Sequence, residues 1–410
     1  MMKLNKMVFA FLIFAVFVTV LMVCCIEAFV KTEKPVRPTG HVSDDLDRIH
    51  VFHSGELRGV WVPYFSISDE KALDEAGFQS RFDSIIKTAK AHGANTLFVH
   101  VRSHCDAAYP SEIFPFADIY MKNGKAPDYD PLEIMVSSAH KAGLEFHAWI
   151  NPYRISSSDH APPESGIISE KIKSGSGCVI EYDGGLYLNP ASSEARSLII
   201  DGVSELVNNY SVDGVHLDDY FYAFTESEID REDYEAYADS VSIKSKVLPL
   251  DKWRCANVSV LVSGINEAVK NIDESVLFGI SPQGNIENDL SIGADVYTWC
   301  GENGYIDYIA PQIYYNSENP VCPFESTVDR WKSLVGKSGI KLYIGLALYK
   351  AGSDEDDGSW LESDDIIAKQ IAYSRKAGTD GYILYSFDYL ESEQTKAEIS
   401  NIDRIAFLNV

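Results

Sequence analysis

Two adjacent aspartates are the strongest candidates for chemistry in this chain. Asp218 and Asp219 occur in the run VDGVHLDDYFY at 212–222, directly after a short apolar stretch. Side chains alternate along a strand, so His216 and Asp218 are expected on one face and Asp219 on the other. Asp218 could then stabilise an oxocarbenium-like transition state or attack an anomeric carbon, while Asp219 reaches the rim or binds its neighbours. The alternative is that the pair caps the following helix.

The second carboxyl group that such chemistry usually requires is less obvious. No glutamate ends the fifth or sixth apolar run of the chain, where Gln283 and Gln312 stand instead. The candidates for the general acid are therefore Asp219, Asp106 and Asp388, with Asp219 ranked slightly ahead of Asp106. A water molecule or a group of the substrate is a further alternative.

Other polar and aromatic residues follow the apolar runs and are predicted to bind substrate. The fork of donors on Arg102 suits a carboxylate or a sugar hydroxyl, although a structural salt bridge is an alternative. Trp149 and Tyr153 either stack on a sugar ring or pack in the core. The predicted substrate-binding residues are Arg102, His104, Asn151, Arg154, His216, Gln283, Gln312, Tyr314 and Tyr385.

One group of residues resembles a metal site. His100, His104 and Asp106 are close together in HVRSHCDAAYPS at 100–111. Alternation aims His100 along its strand, whereas His104 and Asp106 lie beyond it in a loop, so hydrogen bonding to substrate is favoured over coordination. The chain also contains no HExxH and no GxSxG motif. We therefore expect no metal.

Eight apolar, β-branched runs alternate with helical segments and must position these residues. The runs are 57–62, 95–101, 144–150, 213–219, 277–282, 305–315, 341–349 and 381–387. Helical spacing is found at 78–93, where Gly93 is a predicted C-cap, and at 131–143, 195–210, 258–272 and 365–378. A doubly wound sheet shares this alternation, but eight repeats favour a closed α/β barrel of the (β/α)8 TIM type. Its active site is expected at the C-terminal ends of the strands.

The N-terminal region has a different character. Residues 7–26 carry no charge and follow two lysines. Twenty apolar residues at about 1.5 Å each span a hydrocarbon core of roughly 30 Å, so 1–30 is predicted to be a membrane anchor or, alternatively, a cleaved signal peptide. The preceding lysines predict that the rest of the chain is exported. Residues 31–54 are predicted to be a linker and 55–410 the barrel.

The net charge argues against a nucleic-acid partner, and the spacing of the cysteines argues against a disulfide framework. The 35 Lys+Arg and 61 Asp+Glu give a net charge of -26, which repels nucleic-acid phosphates. Membrane contact is expected through the N-terminal segment only. The seven cysteines have no regular spacing, so no disulfide framework is predicted, although a single bridge from Cys300 to Cys322 is an open alternative.

Several motifs, in order, resemble the glycosyl-hydrolase-like 10 family of bacterial envelope proteins. They are ELRGVWV, DAAYPS, YDPLEIMVSSAHKAGLEFHAWINPYR, YLNPA, VDGVHLDDYFY, FGISPQGN and YIDYIAPQIYY, between about 56 and 390. The resemblance implies a barrel hydrolase without a cofactor, acting on glycan chains, with cell-wall glycan stripped of its peptides as the favoured substrate. It supports as site residues Asp218, Arg102, Asp106, Asn151 and Gln312. At Gln283 many relatives carry an apolar residue, so the resemblance assigns that residue no role.

The leading hypothesis is therefore hydrolysis of a cell-wall or extracellular polysaccharide. Cleavage at internal bonds of the polysaccharide is favoured over cleavage at its ends, because long loops at a barrel mouth form an open groove. A glycan-binding protein that kept the barrel and lost turnover is an alternative, motivated by the missing second carboxylate. A polysaccharide deacetylase or esterase is another, and it would need His100, His104 and Asp106 to converge on a metal.

Overall fold

The strands of the molecule form one barrel and one short hairpin. The computed structural model describes residues 50–51, 53, 55–67, 74–336 and 339–406. Their strands are β1 (Leu57–Val62), β2 (Thr96–Arg102), β3 (Glu145–Ile150), β4 (Val179–Tyr182), β5 (Gly185–Leu188), β6 (Gly214–Leu217), β7 (Leu277–Ile280), β8 (Tyr308–Ile309), β9 (Lys341–Leu346) and β10 (Gly381–Leu384). Strands β4 and β5 pair antiparallel, and the other eight are parallel and close into a barrel in chain order.

Helices connect the barrel strands and cover their outer surface. They are α1 (Tyr64–Ile67), α2 (Glu75–Ala91), α3 (Pro131–Lys141), α4 (Gly166–Ser174), α5 (Ser193–Asn209), α6 (Arg231–Ser240), α7 (Leu250–Ile272), α8 (Ile286–Ser291), α9 (Val296–Gly301), α10 (Phe324–Val335), α11 (Ile366–Ala377) and α12 (Lys396–Ala406). The predicted (β/α)8 barrel is therefore confirmed.

All eight predicted runs contain a barrel strand, but the sixth run is mostly not β-structure. Only Tyr308–Ile309 of 305–315 form a strand. Pro311 has no N–H to give to the ladder, so the chain leaves the regular pairing there. Gln312 still makes single bridges to Gln283 and Gly345 on either side. These bridges hold Gln312 at the mouth of the barrel.

Local sequence chemistry sets the ends of the helices. The side chain of Asp74 accepts the N–H of Gly77 at the start of α2. Gly93 follows that helix with φ of +82°, a left-handed conformation that glycine adopts without the steric cost of a Cβ atom, as predicted from its position. Asp130 caps α3 in the same way as Asp74, with Pro131 in the first turn.

The apolar core has two parts, one inside the barrel and one between the strands and the helices. The interior is filled mainly by aromatic rings, including Trp61, Phe98 and Tyr308. Gly214 at the start of β6 permits this packing, because a Cβ atom there would lie 2.4 Å from Nδ1 of His147. The barrel is therefore a packed structure whose cavities can lie only towards its ends.

The first described residues of the chain contact the bottom face of the barrel, where the strands begin. The backbone N–H of Val51 donates to Oδ1 of Asp213, the residue before β6, at 2.8 Å. The N–H of His53 donates to Oε1 of Glu145, the first residue of β3, at 2.7 Å. Val51 and His53 are therefore attached to the end of the barrel opposite the C-terminal ends of the strands.

Two further expectations concern the membrane segment and the cysteines. Within the described residues, no helix is both long and apolar enough to cross a bilayer. The predicted anchor or signal segment 1–30 and nearly all of the predicted linker lie outside those residues. The five described cysteines are free thiols, so the bridge from Cys300 to Cys322 is not formed.

Candidate active site

A pocket of about 210 Å³ lies at the mouth of the barrel and contains both central aspartates. Asp218 and Asp219 follow directly after β6, which ends at Leu217. Because the strand has ended, its strict alternation no longer applies, and both carboxyl groups line the same pocket. The residues that line it are Trp61, Trp149, Asp218, Asp219, Tyr220, Ser281, Gln312, Tyr314, Tyr349 and Tyr385.

Asp218 is the more deeply buried of the two carboxyl groups, at 3% exposure. Its Oδ2 accepts the indole N–H of Trp149 at 3.0 Å, and its Oδ1 accepts the backbone N–H of Tyr220 at 3.4 Å. Burial, and next the negative charge of Asp219, raise the pKa of Asp218 to about 7. A carboxyl group with this pKa can hold and release a proton near neutral pH.

Asp219 is half-buried and is held by an amide from the neighbouring strand end. Nε2 of Gln312 donates to Oδ1 of Asp219 at 3.1 Å and to the carbonyl of Ser281 at 2.9 Å. Burial raises the pKa of Asp219, whereas hydrogen bonds from Gln312 and Gln283 lower it. The amide donors favour the charged form, so Asp219 is the group of the pair that ionises more readily.

Aromatic rings form the wall of the pocket opposite the acidic pair. The ring centroids of Tyr314, Tyr349 and Tyr385 lie 5.9 Å apart in each pairing. Trp61 extends this wall, with its ring centroid 6.0 Å from that of Tyr385. Flat rings around a polar floor suit the apolar faces and hydroxyl edges of a sugar. The predicted substrate-binding residues Tyr314 and Tyr385 both belong to this wall.

His216 lies beneath the pocket and does not line it. Its Nδ1 is 3.0 Å from the hydroxyl of Tyr308, and its Nε2 accepts the indole N–H of Trp61 at 3.2 Å. The same Nε2 lies 3.0 Å from Oγ of Ser281. Burial holds the pKa of His216 well below its usual range, so the ring is neutral. His216 therefore positions two residues of the pocket from below.

Arg154 is at the rim of the pocket. Its Nε donates to the carbonyl of Ser103 at 3.1 Å, and its guanidinium lies 4.9 Å from the ring centroid of Tyr220, which is half exposed. Its positive charge lowers the pKa values of Asp218 and Asp219. Among the described residues, this bond from Nε is the only hydrogen bond that the Arg154 side chain donates, so its two terminal nitrogens have no acceptor. The side chain can therefore offer donors to a ligand in the pocket.

Arg102 and Asn151 are buried away from the pocket. A bulge between His100 and Arg102 interrupts the alternation of β2. The guanidinium of Arg102 lies 4.4 Å from the ring centroid of Phe114, under the loops. Oδ1 of Asn151 accepts the N–H of Arg154 at 3.0 Å and so shapes the turn after β3. Neither residue lines the pocket within the described chain.

The other two aspartates considered for the general acid also lie outside the pocket lining. Oδ1 of Asp106 accepts the backbone N–H groups of Ser103 and His104 at 3.1 and 3.0 Å, so this carboxyl group stabilises its own loop. Asp388 accepts the hydroxyl of Ser66 at 2.5 Å. Asp219 is thus the one of the three that shares the pocket with Asp218.

The two histidines that were considered as metal ligands, His100 and His104, stack on different rings. His100 stacks on Trp149, with ring centroids 3.9 Å apart and an interplanar angle of 8°. His104 instead stacks on His160, with centroids 3.8 Å apart. Ligand atoms of His104, Asp106 and His160 lie within 4.8 Å of one another. Sequence spacing could not reveal His160, because it comes from the loop after the next strand.

Trp61 and Tyr220 line the pocket although the sequence did not predict them there. Trp61 lies inside the apolar run of β1, where a residue is normally expected to pack in the core. Only its position next to the end of the strand indicates that it can reach the mouth of the barrel. Tyr220 follows the acidic pair directly and is half exposed. A half-exposed tyrosine can offer both its ring face and its hydroxyl group to a ligand.

Comparisons with known proteins concern the family and the fold of the chain. A family model described as glycosyl hydrolase-like 10 matches residues 56–362. The chain is 33% identical over 345 residues to the glycosyl hydrolase YngK of Bacillus subtilis, which covers 78% of this chain and 66% of that protein. It is 30% identical over 390 residues to the glycosyl hydrolase DigH of Escherichia coli, covering 85% of this chain and 86% of that one. The chain thus spans slightly less than two thirds of the Bacillus relative.

Solved structures share the fold at low identity. The PgaB (BpsB) glycoside hydrolase domain from Bordetella bronchiseptica matches with a TM-score of 0.55 and 14% identity, covering 84% of this chain and 98% of that domain. An endo-β-1,4-mannanase from Thermotoga petrophila matches with a TM-score of 0.55 and 11% identity, covering 86% of this chain and 76% of the enzyme. At such identities the likeness concerns the barrel alone.

Proposed function

Because this chain belongs to the glycosyl hydrolase-like 10 family, we propose that it hydrolyses glycosidic bonds in peptidoglycan glycan strands that lack peptides. The observation that carries the proposal is the pair of carboxyl groups, Asp218 and Asp219, in one aromatic pocket at the barrel mouth. Barrel enzymes place their chemistry at this end of the strands.

Asp218 is assigned the role of general acid. Its pKa of about 7 means that it is protonated at and below neutral pH and can donate that proton to the glycosidic oxygen as the C–O bond breaks. This assignment differs from the sequence-based ranking, which put Asp219 first as the acid. The reason for the change is that Asp218 is more deeply buried and therefore holds its proton to a higher pH.

Asp219 is assigned the complementary role of the charged group. The amide of Gln312 donates to it and favours its ionised form. A carboxylate in this position stabilises positive charge that develops at the anomeric carbon. A water molecule then supplies the hydroxyl group of the new reducing end, and Asp218 regains its proton from solvent or from that water.

Arg154 supports strands without peptides as the substrate. In peptidoglycan the lactyl carboxyl group of muramic acid is amide-linked to the peptide, and removal of the peptide leaves a free carboxylate. Arg154 holds donors at the rim, beside the aromatic ring of Tyr220. A guanidinium recognises a carboxylate through two parallel hydrogen bonds but recognises an amide far less well. Peptide-free strands are therefore the better match.

The test is release of reducing ends from purified cell-wall glycan, with and without attached peptides. Asp218→Asn is expected to lower the rate by at least about 100-fold, as for loss of a general acid. Asp239→Asn is the control, because the Asp239 side chain is 88% exposed and lies on α6, outside the pocket. Equal activity of parent and Asp218→Asn would remove Asp218 from the mechanism. Glycan binding without turnover in the parent would favour the glycan-binding alternative.

Arg154→Met tests the choice of substrate separately. The parent is expected to cleave peptide-free strands faster than strands that carry peptides. In the variant the ratio of these two rates is expected to fall about tenfold, which corresponds to the loss of one charged hydrogen bond. A preference that is unchanged in Arg154→Met would refute the role of this guanidinium while leaving hydrolysis itself intact.

We also propose that the protein acts outside the cytoplasm, attached to the membrane through its N-terminal segment. The support is the charge-free run 7–26 preceded by lysines. Protease added to spheroplasts is expected to digest the barrel of the full chain and to spare a form that lacks residues 1–30. Protection of the full chain would contradict export.

A further inference from the structure

A second cluster of polar side chains lies next to the pocket, built from the loops that follow β2 and β3. His104, Asp106 and His160 each present one ligand atom, and these atoms lie within 4.8 Å of one another. We propose that these three residues bind one divalent transition-metal ion of the zinc type. The proposal adds a site that is separate from the acidic pair, and it revises the expectation that the chain holds no metal.

His104 and Asp106 are oriented by neighbours in the manner of metal ligands. Nδ1 of His104 lies 3.0 Å from Oγ of Ser103, a contact that leaves Nε2 for a metal. Oδ1 of Asp106 accepts two backbone N–H groups, which leaves Oδ2 for coordination. Both side chains are at least nine-tenths buried, with 2% and 7% exposure. The site is therefore largely preformed on this side.

His160 completes the cluster from a surface turn. The N–H of Ser157 donates to the carbonyl of His160 at 3.0 Å, and the N–H of His160 donates back at 3.2 Å. Asp159 in the same turn is exposed, and its Oδ1 accepts the hydroxyl of Ser157 at 2.8 Å, so it is not counted among the ligands. Water would complete the coordination as the fourth ligand. Two imidazoles and a carboxylate are a set that zinc accepts in tetrahedral sites.

The distances require the cluster to contract on binding. Donors that lie about 2.0–2.1 Å from a tetrahedral ion are about 3.4 Å apart, compared with up to 4.8 Å here. The stacked rings of His104 and His160 must tilt relative to each other so that one nitrogen of each points at the ion. Movement of the surface turn at 157–160 allows this. Arg154 lies nearby and its charge opposes a cation, and the carboxylates of Asp106 and Asp159 offset it.

A metal in this position would join two loops of the mouth. Arg154 donates to the carbonyl of Ser103, next to His104. The ion would therefore stiffen the part of the rim that carries Arg154, without contact with the reacting atoms.

The test is calorimetric titration of the purified full chain with ZnCl₂ and, separately, MgCl₂, after EDTA treatment and blocking of accessible thiols with iodoacetamide. We expect one Zn²⁺ per chain, no Mg²⁺ binding, and a Kd at least tenfold weaker for His160→Gln and for Asp106→Asn. His53→Gln, which alters an exposed histidine at the bottom of the barrel, is the control and should bind as the parent does.

A second measurement guards against misfolded variants. Zn²⁺ should raise the Tm of the parent and of His53→Gln but not that of His160→Gln. His160 lies in a half-buried surface turn, so this variant should keep the Tm of the metal-free parent. No Zn²⁺ binding in the parent, or binding that persists in His160→Gln, would overturn the proposal. Neither result depends on glycan hydrolysis.

Discussion

In the proposed mechanism, the indole N–H of Trp149 should set the pH above which hydrolysis slows. It donates to Oδ2 of Asp218 at 3.0 Å and thereby lowers the pKa of that carboxyl group towards about 7, against the opposing effect of burial. Hydrogen bonds to charged groups contribute about 1.5–3 kcal/mol, and one pKa unit corresponds to about 1.36 kcal/mol. Water can reach the pocket and replace part of this bond. Trp149→Phe should therefore raise the pKa of Asp218 by about one unit.

An acid that donates its proton is active below its pKa, so kcat/KM should fall above about pH 7 in the parent. In Trp149→Phe this fall should move to about pH 8. The assay is kcat/KM for peptide-free glycan between pH 4 and pH 10. Trp61→Phe is the matched control, because its indole N–H also lies in the pocket wall but donates to His216. An unmoved basic limb in Trp149→Phe, or an equal movement in Trp61→Phe, would refute the assignment of Asp218 as the acid.

Gln312→Leu should reduce kcat/KM about tenfold with little change in Tm, because Asp219 loses its amide donor; a wild-type rate would contradict this. Gly214→Ala should lower the free energy of unfolding in urea by about 1–3 kcal/mol, since the new Cβ overlaps a buried imidazole. Gly177→Ala is its control, with no atom within 4 Å of the added Cβ. Burial raises the pKa of Glu398 to about 7, above the value of about 4.3 for an unfolded chain, so stability is lost as pH rises between these values. Glu398→Gln should remove that loss, and an unchanged difference in Tm between pH 5 and pH 8 would contradict it.

The barrel could be predicted because parallel strands buried on both faces leave continuous apolar runs, as β2 does with all seven residues buried. The β4–β5 hairpin was not predicted. Its first strand has no fully buried residue, so its apolar pattern is weak. The early end of β8 follows from Pro311. The proline is visible in the sequence, but whether its missing N–H interrupts a strand depends on which neighbouring strand would have accepted that hydrogen bond.

The site was predictable where residues lie at the ends of strands and less so where loops fold back. Asp218 and Tyr385 follow barrel strands directly, Gln312 lies three residues beyond the end of β8, and all three lie in the pocket. Arg102 also ends a strand, but a bulge changes its direction and buries it. Asp106 is turned into its own loop by two backbone N–H groups. Such deviations depend on backbone geometry that spacing in sequence does not report.

The attachment of Val51 and His53 to the bottom of the barrel leaves its opposite end free to face a polymer. The pocket opens at that opposite end, where the strands finish, so these two hydrogen bonds lie away from the substrate. A long strand can therefore pass across the mouth without contact with the bottom face, and substitutions at the bottom face should leave access to the pocket intact.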